Sequence, residues 1–251
     1  MAFRKAVSVV VLAAFVLPGH AAPPSPSFPP LIVLTEQSPP ASMQYQGKVS
    51  GHETDKVKEM LSRTGISYQL DVLPWKRGYT MAQRDANTCI FPTTRTPERE
   101  KLFKWIGPTY EADWSLVGRT DRKFTLRTLE DARPLRIGTY NGDARDDYLR
   151  ARGFNVDPVQ NDHSNPKKLM LNRIDLWVTA LPPGSTALEQ FGLNGKIAPV
   201  LTFLKVKVYL ACNPSVPDAM VERMNASLDT MRRDGSFARI ERKYEHWSDQ
   251  K

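Results

Sequence analysis

Residues 89–108 read Cys89-Ile90-Phe91-Pro92-Thr93-Thr94-Arg95-Thr96-Pro97-Glu98-Arg99-Glu100-Lys101-Leu102-Phe103-Lys104-Trp105-Ile106-Gly107-Pro108. The short apolar run Ile90-Phe91 predicts the end of a buried strand. Two hydroxyl residues, Thr93 and Thr94, and then Arg95 follow it. Thr96-Pro97-Glu98 has the form of a helix start: a capping Thr, a Pro at the first helical position and an acid in the first turn. Arg99 falls inside that turn. Exposed hydroxyls, a helix N-terminus and arginines at one strand end make a site suited to an anion, most naturally a carboxylate. The same spacing also fits a surface loop with solvated arginines.

Working outward, Leu31-Ile32-Val33-Leu34 is a continuous apolar run, as a strand buried on both faces requires. It runs into Thr35-Glu36-Gln37-Ser38-Pro39-Pro40. Ligands of open α/β sheets bind beyond the carboxyl ends of strands, which makes Glu36 and Ser38 candidates; Ser-Pro-Pro also serves as plain turn chemistry. Residues 47–51 read as a loop. Val57, Met60 and Leu61 give residues 53–64 an amphipathic helical period, stopped by Gly65. Residues 66–73 alternate as a strand does, completing a strand–helix–strand unit. Trp75 and Arg77 follow, Trp75 either core or cleft wall and Arg77 toward solvent or ligand. Further strands are expected at residues 114–118, 135–138, 156–159, 172–178, 197–203 and 207–212. Helices are expected near 143–149, 166–171 and 218–232.

The stretch Thr-Thr-Arg-Thr-Pro-Glu-Arg-Glu, followed by Phe-Lys-Trp-Ile-Gly-Pro, resembles the signature segment of the family 3 solute-binding proteins of ABC transporters. The resemblance extends over nearly all of residues 31–247 and implies further helices near 126–131 and 235–244. It implies an α/β, two-lobed periplasmic binding protein fold, each lobe an open, mostly parallel sheet flanked by helices, with two chain crossings at the hinge. The lobes it implies are 31–118 with 207–251, and 122–203. The family's carboxylate-holding hydroxyl and arginine fall on Thr94 and Arg99. The cleft set it implies is Glu36, Ser38, Trp75, Arg77, Thr93, Thr94, Arg95, Arg99, Tyr140, Asp143 and Thr179. Two positions depart from the family's amino-acid receptors. Asp143 and Ala144 stand where the second lobe offers small hydroxyls and amides. Ala180, beside Thr179, stands where an Asp meets the ligand's ammonium group. These departures put an amino-acid ligand in doubt and leave a small polar solute in place.

The chain has 251 residues, enough for one large or two small domains with a core. Residues 1–21 have the form of a signal peptide: Arg4 and Lys5, an apolar stretch over 6–17 too short to span a bilayer, then Gly19-His20-Ala21. No Cys lies near the expected cleavage point, so a lipid anchor is not expected. Residues 22–30 form a Pro-rich leader. The formal charge is +8, and without Arg4 and Lys5 it is +6. Export argues against a nucleic-acid partner, and the charges are interspersed with acids. The expected product is therefore a periplasmic monomer without membrane insertion, with a small-molecule ligand and an ABC transporter permease as partners.

No Cys or His cluster with metal-ligand spacing is present, and no metal or other cofactor is expected. The histidines fall in the signal, in loops or at the C-terminus, without a catalytic set. The alternatives on the same scaffold are an enzyme of the cyclohexadienyl or arogenate dehydratase kind, with Glu36 or Asp143 as its acid, and a periplasmic ligand sensor. Cys89 and Cys212, both in the implied first lobe and both placed at the end remote from the ligand, are expected to pair. The alternative is two reduced, buried cysteines.

Overall fold

The structure is a computed structural model that describes residues 28–181, 188, 191–193 and 195–245. The expected signal peptide, 1–21, and residues 22–27 of the leader lie outside the described residues.

The first lobe is built as its apolar runs require. β1 (Leu31–Thr35) pairs in parallel with β4 (Tyr68–Val72) on one side and β5 (Thr88–Thr94) on the other. Helix α1 (His52–Thr64) connects β1 to β4 and ends at Gly65, which takes the left-handed conformation at φ 65°. Between β1 and α1 the chain makes a small hairpin, β2 (Met43–Tyr45) against β3 (Lys48–Ser50), where a plain loop was expected. Gln46 and Gly47, both at positive φ, make that reversal. Val57, Met60 and Leu61 of α1 pack with Leu31 and Val33 in one core. Met220, Met224, Leu228 and Met231 of α5 (Asp218–Arg233) close the same core. Helices α2 (Trp75–Arg84) and α6 (Ser236–Tyr244) complete the lobe.

The expected helix after Thr96 is a 3-10 turn, Pro97–Leu102, and the chain re-enters extended structure at once. β6 (Lys104–Arg119) is one strand of 16 residues, far longer than the expected 114–118. β10 (Ile197–Cys212) likewise joins the two expected strands into one. These two long strands pair antiparallel with each other and link the lobes. The result is a single eight-stranded sheet in the order β4-β1-β5-β10-β6-β9-β7-β8.

The second lobe contains β7 (Ile137–Tyr140), β8 (Val156–Val159) and β9 (Leu176–Leu181), with β7 parallel to both neighbours. Helices α3 (Ala144–Ala151) and α4 (Asn165–Met170) cover it. Residues Asp113–Val117 of β6 pair with β9. Leu116 joins the second lobe's core with Ile137, Leu149 and Leu176. The stretch 114–117 thus pairs with β9, and Leu116 and Val117 pack in the clusters that contain Ile137, Leu176 and Trp177.

Cys89 and Cys212 stand directly opposite each other on the antiparallel pair β5·β10 and are joined by a disulfide, with Cα atoms 3.9 Å apart. Among the described residues no helix is long and apolar enough to cross a membrane.

Candidate functional site

A cavity of about 100 Å³ lies between the lobes. Its first-lobe wall is the loop after β1, residues 36–41, with His52 and Tyr110. Its second-lobe wall is Tyr140 at the end of β7, the turn 161–163, Trp177, Thr179 and Ala180 of β9, and Phe191. The loop after β1 is held by its own polar atoms. Ser42 Oγ donates to the Glu36 carbonyl at 2.6 Å, the Ser38 amide to the Ser42 carbonyl at 2.7 Å, and the His52 amide to the Pro40 carbonyl at 3.0 Å. That bracing fixes the backbone of Glu36 in the cavity wall.

Glu36 meets the second lobe directly: the Tyr140 hydroxyl donates to Glu36 Oε1 at 3.0 Å. Burial drives the Glu36 carboxyl up from its ordinary 4.5 to about 8; the Tyr140 hydrogen bond opposes the shift, and Asp143 and Asp162 add to it. Arg145 lies behind Tyr140, its guanidinium 5.3 Å from the ring centre. It pairs with Asp143 at 2.6 Å and Asp162 at 3.4 Å. Asp162 Oδ1 also accepts from Asn165 Nδ2 and Trp177 Nε1, each at 2.8 Å. Burial nevertheless pushes the Asp162 carboxyl up, against the pull of Arg145.

The expected cleft residues divide into three groups. Glu36, Ser38, Tyr140 and Thr179 line the cavity. Trp75 and Arg99 face the second lobe beside it: the Trp75 indole N–H donates to the Gly142 carbonyl at 2.9 Å, and Arg99 Nη2 donates to the same oxygen at 3.2 Å. Arg99 also reaches Asp147 at 3.3 Å and lies over the Tyr79 ring at 4.7 Å. Gly142 presents that carbonyl from a left-handed conformation, φ 76°. Asp143 does not face the cavity; its side chain caps α3, accepting from the Arg145 amide at 2.9 Å.

The remaining candidates sit elsewhere. The Thr93 hydroxyl is buried and donates to the Ile90 carbonyl at 3.0 Å. Thr94 is half-buried on β5, and Arg77 is exposed on α2. Arg95 is exposed, bonds Glu100 through Nε at 2.7 Å and stacks on Trp105 and Tyr209. Residue type alone did not reveal His52, Tyr110, Asp162, Trp177 or Phe191 as cavity walls. His52, expected in a loop, is the first residue of α1, and His163 lies in a 3-10 turn; both line the cavity. Among the described residues no group of three or more His, Cys, Asp or Glu is placed to hold a metal ion.

Comparison with protein families matches residues 31–246 to the bacterial extracellular solute-binding proteins, family 3. Comparison with curated proteins finds no match. Solved structures share the fold. An ancestral arginine-binding protein bound to arginine superposes with a TM-score of 0.73 at 22% identity, covering 85% of this chain and 97% of that one. A histidine kinase sensor domain with similarity to periplasmic binding proteins gives 0.79 at 16% identity, covering 89% and 99%. The ancestral amino acid-binding protein AncCDT-1, a precursor of cyclohexadienyl dehydratase, gives 0.71 at 18%, covering 86% and 94%.

Proposed function

The chain belongs to family 3 of the bacterial extracellular solute-binding proteins, and from that premise we propose that it closes its two lobes on a small polar solute in the periplasm and delivers it to an ABC transporter. Residues 1–21 direct its export, and the lobes turn about the paired crossing strands. On this reading the hinge lies along the paired strands β6 and β10, where Ala112–Trp114 stand opposite Leu204–Val206. The observation that carries this reading is the inter-lobe cavity, with direct contacts from both lobes at its edge: Tyr140 to Glu36, and Trp75 with Arg99 to Gly142. Those contacts are ones a hinge motion makes and breaks. The arginine-binding neighbour, for its part, favours an amino-acid-like solute.

Small-angle scattering with and without a bound solute tests the reading. A solute that raises the melting temperature and shrinks the radius of gyration supports it. An unchanged radius of gyration at saturation counts against closure.

A second reading has one specific observation in its favour. The Glu36 carboxyl, raised to about 8, is protonated at neutral pH and so is able to act as a general acid. On that reading the cleft carries out a dehydration, and turnover of a cyclohexadienyl substrate disappears in Glu36→Gln.

A further inference from the structure

The cleft gathers three carboxyl groups around one arginine. Glu36 and Asp162 line the cavity, and Asp143 stands behind Tyr140. The cation set among them is Arg145, which is shared by Asp143 and Asp162. Neither Lys nor Arg is among the lining residues. The two features able to hold a carboxylate stand outside the cavity lining. Arg99 turns Nη2 to Gly142 and Asp147, its Nη1 being buried without a hydrogen-bond partner among the described residues, and the α3 N-terminus is capped by Asp143. Four aromatic rings, Tyr110, Tyr140, Trp177 and Phe191, supply the apolar walls. Among the described residues the Tyr110 hydroxyl oxygen is buried without a hydrogen-bond partner. An uncompensated acid enclosed by aromatic faces is suited to a positive charge carried on a carbon chain.

We propose that the cavity takes an organic cation, with an ammonium or guanidinium group against Glu36 and its carbon chain between the aromatic walls, and with no carboxylate required on the solute. This rests on the solute-binding reading and narrows its substrate class. The titratable and charged groups around Glu36 are Tyr140 and Asp162 from the second lobe, with Asp143 and Arg145 behind them, His52 and Tyr110 on the first-lobe wall and His163 opposite. A cation entering among them favours the ionised carboxylate, so binding near neutral pH drives a proton off Glu36.

The test is titration calorimetry of the purified exported protein against agmatine, putrescine, arginine, glutamate and ribose. Agmatine and arginine carry the same guanidinium and differ in the carboxylate. The expected result is binding of agmatine or putrescine, with arginine no tighter than agmatine and glutamate silent. Glu36→Gln weakens the cation at least tenfold; its melting curve without solute checks that it folds. Asp162→Asn is the second variant, with Asn Oδ1 able to keep the bonds from Trp177 and Asn165, and it also weakens the cation. Heat measured in buffers of different ionisation enthalpy shows a proton released at pH 7. Arginine binding tenfold or more tighter than agmatine overturns the inference. Binding of glutamate or ribose without the cations overturns it while leaving the solute-binding reading intact. Silence across all five solutes counts against both.

Discussion

The Tyr140 hydroxyl and the Glu36 carboxyl group, 104 residues apart in sequence, meet at 3.0 Å across the cleft and join the two lobes. Tyr140 also packs with Trp75 and Tyr79 of the first lobe, so its ring as well as its hydroxyl spans the two lobes. Desolvation of Glu36 in this arrangement is what raises its carboxyl to about 8.

That shift fixes a sign for the pH dependence of stability. The folded protein keeps the Glu36 proton between 4.5 and about 8, whereas the unfolded chain gives it up near 4.5. The folded state therefore binds more protons in that window, and the contribution is lost as pH rises, at up to about 1.4 kcal/mol per pH unit. Glu36→Gln removes that slope. Melting curves are expected to show the variant gaining on the natural protein between pH 5 and pH 9. Parallel loss in both proteins would place the titration elsewhere.

Trp75 and Arg99 converge on one carbonyl of the second lobe, that of Gly142. Trp75→Phe keeps an aromatic side chain and removes the indole donor, which costs roughly 1 kcal/mol of inter-lobe attraction. The open form then gains about fivefold in population. Scattering without solute is expected to give a larger radius of gyration for the variant, and solute affinity is expected to fall with it. A variant indistinguishable from the natural protein in both measurements removes the Gly142 contact from the closing mechanism.

The apolar runs and periods of the sequence were enough for β1, α1, β4 and α5, because each of those elements buries one consistent face or both. β6 was harder to read. Lys104 to Arg119 mixes exposed and buried positions, since its two halves serve different lobes and its neighbours change along its length. In the site, Glu36 and Ser38 were legible as residues beyond a strand end, whereas Tyr140 and Thr179 came only with the family resemblance. Asp162, Trp177, His52 and Tyr110 were not, because their convergence depends on how the lobes face each other. Arg77 and Arg95 show the converse: a charge near a strand end carries no information about its direction, and both are exposed.

Behind the cavity wall, Lys56 and Glu53 are wholly buried and 3.1 Å apart. Lys56 Nζ also donates to the Thr109 carbonyl at 2.7 Å and to Glu241 at 2.9 Å, tying α1 to β6 and α6. Burial would raise the Glu53 carboxyl, but Lys56, His52 and the Thr109 hydroxyl outweigh it and hold the group near 2. Lys56→Met strands a buried carboxylate and is expected to destabilise the fold by roughly 3–5 kcal/mol. Because the Glu53 carboxyl is depressed in the folded state, its contribution is present above 4.5 and fades as pH falls toward 2. Chemical denaturation at pH 7 and pH 3 is expected to show the gap between variant and natural protein narrowing at the lower pH. An equal gap at both assigns the loss to packing.

Cys89 and Cys212 close a loop across 123 positions by joining β5 to the end of β10. Both cysteines are fully buried in the core shared by β1, α1 and α5. The link ties the strand that returns from the second lobe to the centre of the first lobe's sheet. In the chain-entropy model a loop of that length is worth about 4–5 kcal/mol, and measured gains are often smaller. The bond lies at the end of β5 opposite Thr94, so its loss acts on stability and leaves the cavity residues in place. The double variant Cys89→Ala, Cys212→Ala is expected to unfold at lower denaturant concentration while keeping its affinity for the solute. Thiol titration of the unreduced, denatured natural protein is expected to find no free thiol, and two free thiols per chain would show that the bond does not form.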